Sequence, residues 1–497
     1  MISFIKRLIP SGMYKKLVAP YHLFLSFFFA LFYGFPANHI KVIAVTGTKG
    51  KSSVVEMVAA ILEEAGYSVA VSSTIRFKTG TESKRNLYKM TLPGRGFIQR
   101  FLKEAVEKHC EYAVIEVTSE AAVQYRHLFL SLDALVFTNL QKEHLESHGS
   151  MEAYFQAKFR IGKELASSKK RPRAIISNSS DEYGRRFLEL PVEKQLPFSL
   201  EEAQNVIPHA SGMEFVYKDQ KITLPHPGTF SVLNALAALH AGEFFGVPLS
   251  ISATALSKLS TIPGRAERID AGQSFEVVVD YAHTPESLQA LYGAYEGRRK
   301  ICVLGNTGGG RDTWKRPLMG TIAEGACAEV ILTNEDPYDE DPEAILVDMA
   351  KEMTRSPRMI IDRREAIREA LSLAGEGDVV LITGKGTDPY IMGKNGTKSS
   401  GGGSGSDMLF FFFILLIIFA VWVGSGGPDR PISFSGPYLN AITGPGQSAE
   451  PYDTLFQGSS ASPHRSVITI SKSTSGHTQD DPSKEYVSIR MSPLAPE

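Results

Sequence analysis

Lys41–Ser53, KVIAVTGTKGKSS, joins a β-branched apolar run to a glycine-rich turn, a lysine and two hydroxyl residues. A buried strand, a turn whose backbone N–H groups point inward and the N-terminus of the next helix together make a cradle for polyphosphate. The long form of the phosphate loop needs a glycine five residues before Gly50, where this chain has Val45, so only the short form G-x-x-G-K-S is present. The flanks supply what the short pattern lacks. Val42–Val45 reads as a core strand, and Ser52–Gly66 carries Val55, Val58, Ala59 and Leu62 on one helical face. Ser68–Ser73 follows as a second strand, which predicts a nucleotide-binding βαβ unit.

With 497 residues, 43% of them apolar, the chain is long enough for two or three domains with real cores. A net charge of −1 argues against a nucleic-acid partner, and the basic run Lys169–Arg173, KKRPR, reads as a solvated loop. Cys110, Cys302 and Cys327 lack metal-ligand spacing and read as plain structural thiols of a reducing compartment.

Two segments break the soluble pattern. Leu23–Phe35, LFLSFFFALFYGF, is shorter than the ~20 residues that span a bilayer and has Lys6, Arg7, Lys15 and Lys16 upstream without a cleavage site after it. An interfacial anchor and a helix packed on the protein body both fit it. Met408–Val423, MLFFFFILLIIFAVWV, is uncharged and reaches spanning length by extension to Gly427, which predicts a transmembrane helix over 408–427. The lysines before it keep the preceding body cytoplasmic by the positive-inside rule, with the tail outside.

Between these segments strand and helix patterns alternate, the mark of a parallel α/β architecture. Strands are expected at Tyr112–Val117, Ala134–Thr138, Ala174–Ser177, Phe275–Val279, Lys300–Leu304, Glu329–Thr333 and Val379–Thr383. A more β-like insertion occupies about 196–224, and Pro263-Gly264 marks a hinge. The division is then 1–40, an apolar N-terminal segment; 41–260, a central nucleotide-binding domain; 261–398, a second α/β domain; 399–407, a Gly/Ser linker; 408–427, the spanning helix; and 428–497, a polar, mostly disordered tail with β-type runs near 466–471 and 486–489.

Glu116 ends an apolar strand, where ligands of a parallel sheet gather, and a carboxylate there can hold Mg²⁺ with the Ser52 hydroxyl as a second oxygen ligand. Thr138–Lys158, TNLQKEHLESHGSMEAYFQAK, follows another such strand and carries His144 and His148 at a four-residue spacing that suits a metal on one helix face.

With TGTKGKSS at 46–53, Glu116 and the 138–158 stretch stand NALAA at 234–238, GRAERI at 264–269, DYAHTPESL at 280–288, GNTGGGRDTWKRPLMG at 305–320, TNEDPYDEDP at 333–342 and GKG at 384–386. In this order the set resembles the Mur ligase family, the ATP-dependent amino-acid ligases of peptidoglycan synthesis, on its tripeptide-synthetase branch. The resemblance implies a P-loop-type parallel-sheet central ATPase domain and a Rossmann-like C-terminal ligase domain, with ATP and Mg²⁺ as cofactors. It implies that Gly47, Thr48, Lys49, Gly50, Lys51, Ser52 and Ser53 cradle the phosphates, and that Ser52, Glu116 and His144 are metal ligands. Lys158 matches the lysine that the family carbamylates, a change that turns a cation into a carboxylate able to sit beside Mg²⁺. Lys51, Glu116, His144 and Lys158 are the catalytic set. Asn234, Arg265, Asp280 and His283 line the nucleotide site, while Thr91, Asp312, Lys315, Arg316, Asp336, Tyr338, Gly384 and Lys385 serve the substrates. The partners implied are an amino acid and a muramyl-peptide acceptor, with a monomeric ligase body held at the membrane through 408–427 and the 23–35 segment.

The chain departs from the family in places. Only 40 residues precede the first strand, where relatives carry a UDP-binding domain, so the acceptor is expected to be altered or lipid-linked. Glu335-Asp336-Pro337-Tyr338 stands where diaminopimelate-adding members have Asp-Asn-Pro-Arg; the arginine is missing, Asp336 supplies negative charge instead, and this favours a basic donor such as lysine. Thr387 replaces the histidine that follows GKG. A folylpolyglutamate or poly-γ-glutamate ligase and a catalytically silent nucleotide-binding scaffold are the alternative readings.

Overall fold

The computed structural model describes residues 11–94, 96–209, 212–394, 466–471 and 488–493. The expected linker 399–407 and spanning segment 408–427 lie outside them. Pro10–Lys398 with Val467–Ser492 form one compact unit. The second unit, Met1–Ile9, Ser399–Ser466 and Pro493–Glu497, falls almost wholly outside the described residues. Among the described residues no helix is long and apolar enough to cross a membrane.

The chain runs α1 (Ser11–Phe32), β1 (Lys41–Thr46), α2 (Lys51–Glu64), β2 (Val69–Ser72), β3 (Arg76–Thr79), β4 (Glu82–Arg85), α3 (Phe97–Glu107) and β5 (Tyr112–Glu116). It continues through α4 (Ser119–Val123), β6 (Ala134–Phe137), α5 (Leu145–His148), α6 (Met151–Ser167), β7 (Ala174–Asn178), α7 (Glu182–Leu188) and β8 (Lys194–Phe198). These strands form one sheet in the order β4-β3-β2-β5-β1-β6-β7-β8, parallel from β2 to β8 with β3 and β4 as an antiparallel edge hairpin. Strand β1 is buried on both faces after Lys41, as a continuous apolar run in a parallel sheet should be. Its alternation feeds two cores. Ile43 and Val45 pack with α2, and Val42 and Ala44 pack with residues of α3 and α6.

β9 (Gln204–His209), β10 (Gly212–Tyr217) and β11 (Gln220–Leu224) make a separate antiparallel sheet within the β-like stretch expected at 196–224, whose first residues instead extend the main sheet as β8. α8 (Thr229–Phe244) and α9 (Leu249–Lys258) then cover α2; α8 is apolar nearly all round and is buried accordingly. Beyond the Pro263-Gly264 turn come β12 (Glu267–Ile269), β13 (Glu276–Val279), α10 (Pro285–Gly293), β14 (Lys300–Leu304), α11 (Lys315–Ala326), β15 (Glu329–Leu332), α12 (Pro342–Ala350), β16 (Arg358–Met359), α13 (Arg363–Ser372) and β17 (Val379–Ile382). Their sheet order is β12-β13-β17-β14-β15-β16, all parallel except β12. Ser466–Ser471 and Ser488–Pro493 pair as a two-stranded sheet.

Two expectations need correction, and one open alternative finds an answer. Cys302 in β14 and Cys327 after α11 are joined by a disulfide with Cα atoms 6.1 Å apart, because the helix returns its end to the sheet beside the strand; Cys110 alone is a free, buried thiol. The basic run 169–173 is not a solvated loop throughout: Arg173 is buried against Glu193 and backbone carbonyls, and Lys170 pairs with Asp133. Of the two readings of the 23–35 segment, the structure shows a helix seated on the body along His22, Leu25, Ser26, Phe29 and Ala30, with Ser26 Oγ donating to the Tyr125 carbonyl at 2.8 Å.

Candidate active site

β1 lies between β5 and β6, so the carboxyl ends of three neighbouring strands meet at the glycine turn; Val45 is in register with Glu116, and Thr46 with Phe137. The turn fits tightly against what surrounds it. A Cβ at Gly47 would come within 2.0 Å of Thr138 Oγ1, and one at Gly50, whose φ is 83°, within 2.3 Å of Asn234 Oδ1. The backbone is pinned by Asn139, which takes the Thr48 N–H on its carbonyl at 2.8 Å and the Lys49 N–H on its side chain at 3.0 Å. Thr138 Oγ1 donates to the Lys49 carbonyl at 2.6 Å.

Lys51 folds back on this loop, its ammonium donating to the Thr48 carbonyl at 2.9 Å. Ser52 Oγ donates to Glu116 Oε2 at 2.9 Å, and the same oxygen accepts the Thr74 N–H at 2.9 Å and the Thr74 hydroxyl at 3.0 Å. Helix α6 brings Lys158 up from below: its Nζ donates to the Gly47 carbonyl at 2.7 Å and lies 4.6 Å from the Tyr154 ring centre. Only 1% of Lys158 is exposed. Burial, reinforced by the cations of Lys51 and Lys49, drives its pKa well below the ordinary lysine value, against the pull of Glu143 and Glu116.

His144 sits at the N-terminal end of α5 with a left-handed φ of 58°, and burial lowers its imidazole to about 4, so the ring is neutral. His148 Nε2 meets the Ser119 hydroxyl at 3.1 Å, and the rings of His144 and His148 both rest against the Tyr154 ring, with centres 5.9 and 5.0 Å from it. Among the described residues no three His, Cys, Asp or Glu side chains converge as a metal cluster.

The second domain closes the site. Arg265 Nη2 donates to Ser52 Oγ at 3.2 Å while its guanidinium lies 4.6 Å from the Tyr281 ring. Asp280 holds the turn that presents Arg265 and Tyr281, accepting the Ala266 and Ala282 N–H groups at 2.6 Å each. His283 Nδ1 faces the Tyr281 carbonyl at 2.6 Å, and its Nε2 meets Glu143 Oε1 at 2.7 Å; the same carboxylate oxygen takes Lys49 Nζ at 3.2 Å. Burial opposes the Glu143 charge, but Lys49, His283 and His144 together hold its carboxyl well below the ordinary range.

These groups surround a cleft of about 660 Å³ whose wall includes Thr48–Ser53, Glu116, His144, Asn234, Arg265, Asp280 and His283, with Thr91 on another side. Gly47, in the loop itself, and Lys158, bonded to its carbonyl, are not on the lining. Asp312, Lys315, Arg316, Asp336, Tyr338, Gly384 and Lys385 lie off the lining. Asp312 Oδ2 accepts the His144 N–H at 3.3 Å, linking its loop to α5, and Arg316 is committed to Glu340 and Asp348. Asp336 is not a free negative charge: Lys385 at 2.8 Å and the Met392 N–H occupy one oxygen, and Lys89 at 2.9 Å occupies the other. The lean toward a basic donor drawn from Asp336 alone therefore has no support in this geometry. Tyr338 instead stacks with the Arg311 guanidinium at 4.8 Å. Sequence reasoning missed Lys89, Thr74, Glu143 and Arg311; Glu143 and Arg311 stood inside motifs already singled out, at 138–158 and 305–320.

Comparison with known proteins agrees with this geometry. Residues 45–242 match the Mur ligase middle domain and residues 264–386 the Mur ligase, glutamate ligase domain. The chain is 33% identical over 381 residues to the UDP-N-acetylmuramoyl-L-alanyl-D-glutamate–2,6-diaminopimelate ligase of Clostridium botulinum, covering 74% of this chain and 77% of that protein. It is 36% identical over 398 residues to the UDP-N-acetylmuramyl-tripeptide synthetase of a Roseiflexus strain, covering 73% and 77%. Folylpolyglutamate synthase of Mycobacterium tuberculosis, solved with ADP and AMPPCP, shares the fold with a TM-score of 0.60 at 19% identity, covering 74% of this chain and 93% of that one. Parallel sheets, loop and second-domain closure thus coincide with a shared sequence, and the chain belongs to the Mur ligase family of ATP-dependent ligases.

Proposed function

We propose that the chain joins an amino acid to the carboxylate of a muramyl-peptide acceptor, using ATP, in the synthesis of peptidoglycan precursors. The observation that carries this reading is the Ser52 hydroxyl, met at once by Glu116 from β5 and by Arg265 from the second domain, above a loop backed by Lys158.

The loop fits a triphosphate: its glycines leave no room for side chains, and Lys51 can leave the Thr48 carbonyl for a phosphate oxygen. Ser52 and Glu116 fit Mg²⁺, a hard cation that takes one or two protein oxygens and completes its shell with phosphate and water. Bound there, the metal supplies charge neutralisation for the transferring phosphoryl group. Neutral His144 suits a ligand role beside it. Lys158, held as a free amine by burial, is chemically ready to add CO₂ with release of one proton, and the carbamate would balance Lys49 and Lys51.

Acceptor carboxylate attacks the γ-phosphorus, the bond to the ADP oxygen breaks, and an acyl phosphate forms. Lys51 and Arg265 offset the charge that develops on the phosphoryl oxygens. The donor amine then attacks the acyl carbon, phosphate leaves, and the amine proton passes to solvent or a nearby base. A mass-spectrometric assay with Mg-ATP, muramyl-dipeptide acceptors and a panel of amino acids tests this. The expected product weighs acceptor plus amino acid less one water, with equal ADP and phosphate. Turnover only with folate or glutamate acceptors, or nucleotide binding without any turnover, refutes it.

A further inference from the structure

Helix α1 is built inside out. Its polar residues His22 and Ser26 are buried against the body together with Leu25, Phe29 and Ala30. Leu23, Phe24, Phe27, Leu31 and Phe32, on the side away from the body, are 44–63% exposed. A helix resting on a protein and facing water carries charged or polar residues outside. Protein interfaces likewise mix an apolar centre with a polar rim. From Leu23 to Phe32 the exposed positions carry no polar residue. Phe27 extends the patch through an edge contact with Phe129 at 5.8 Å.

Charge separates the occupants. No Asp or Glu occurs before Glu56, while Lys6, Arg7, Lys15 and Lys16 precede the apolar stretch, the last two within α1 itself. An acid-free cationic lead followed by an aromatic and leucine face matches a bilayer with anionic headgroups, where cations meet phosphate and rings enter the acyl boundary. With one face committed to the body, α1 cannot be surrounded by lipid and lies along the surface.

We propose that the outer face of α1 seats this protein on an anionic phospholipid surface. This holds independently of the ligase reading. It also has a consequence for the cleft: α1 binds the Tyr125 carbonyl, and the next residue, Arg126, donates to the carbonyl of Leu92, which lines the cleft beside Thr91. The seat is thus linked through Tyr125 and Arg126 to the Thr91–Leu92 edge of the cleft.

The test uses the full chain, with an environment-sensitive NBD probe on Phe27→Cys and, as a second site, on Leu31→Cys. Cys110 is buried and Cys302 is bonded to Cys327, which directs the label. Both probes are expected to shift to the blue and to be quenched by nitroxide lipid in phosphatidylcholine–phosphatidylglycerol vesicles, at about tenfold less lipid than with phosphatidylcholine alone. Melting temperature and nucleotide retention report that each labelled protein is folded. Vesicle binding with both probes still in water overturns the proposal, since another segment such as 408–427 then holds the membrane. So does a blue shift without vesicles: one that depends on protein concentration means a second copy covers the face, and one that does not means the chain covers it itself.

Discussion

Arg265 Nη2 reaches across the domain boundary to Ser52 Oγ at 3.2 Å, so the residue that caps the glycine loop is held from the second domain. The glycine loop and the second domain are therefore joined directly by a side-chain contact. Charged hydrogen bonds of this kind contribute about 1.5–3 kcal/mol, so Arg265→Ala is expected to lower kcat/KM for ATP by about 10- to 100-fold. Arg265→Lys, which loses the planar contact with Tyr281, should recover only part of it. Steady-state kinetics of phosphate release check this, and wild-type turnover by Arg265→Ala would show the contact to be incidental.

Lys158 gives a prediction in which stability and activity move in opposite directions. Its folded pKa is depressed, so the unfolded chain binds a proton that the native chain does not; stability rises with pH from that low folded value up to the ordinary 10.5. Lys158→Met removes this cost and is expected to raise the melting temperature at pH 7 while abolishing ligation. Lys158→Ala should regain a fraction of ligation when formate or acetate is supplied in place of the carbamate. A ¹³C carbamate signal from wild-type protein in labelled bicarbonate, absent in both variants, is the direct measurement. Full ligation by Lys158→Met would remove the lysine from the chemistry.

Much of this was legible in the chain because the signals are local. The β1 strand, its turn and α2 announce themselves as a β-branched run, two glycines and a 3.6-residue apolar period, and Glu116 follows from being polar at the end of an apolar strand. What stayed hidden depends on contacts between distant residues. Lys49, Glu143 and His283 are separated by 94 and 140 residues, and nothing in their spacing says that they meet. The same holds for Lys89 with Asp336, and for the Cys302–Cys327 pair on neighbouring elements. For α1 the apolar pattern was read correctly, but hydrophobicity on all sides does not tell which face packs.

The Lys49–Glu143–His283 cluster sets an acid limit. Because the Glu143 carboxyl is depressed in the folded state, its contribution is complete above the ordinary 4.5 and is lost as pH falls through the lower folded value. Glu143→Gln leaves Lys49 beside Lys51 and Lys315 without its counter-charge. Breaking a buried pair in this way costs about 3–5 kcal/mol. Urea unfolding at pH 7 should show that loss, and the difference from wild type should shrink toward pH 3. A constant difference across this range would mean that Glu143 acts through shape and not through charge.

Lys89 supplies half of the positive charge that faces Asp336 and Asp388. Asp336 and Asp388 face two ammonium groups, Lys385 and Lys89, at 2.8–3.3 Å, so the cluster is electrically balanced. Lys89 comes from the first domain, on the cleft wall two residues before Thr91, and the other three come from the second domain. Lys89→Met leaves two carboxylates with one cation, an uncompensated negative charge at the edge of the cleft. Even at surface-like dielectric such a charge is worth more than about 1 kcal/mol to an ammonium nearby. The ratio of kcat/KM for lysine to that for alanine as donor is therefore expected to rise about tenfold in Lys89→Met and to stay at the wild-type value in Lys89→Arg. An equal fall for both donors in Lys89→Met would assign Lys89 to holding the domains together, with no part in choosing the amine.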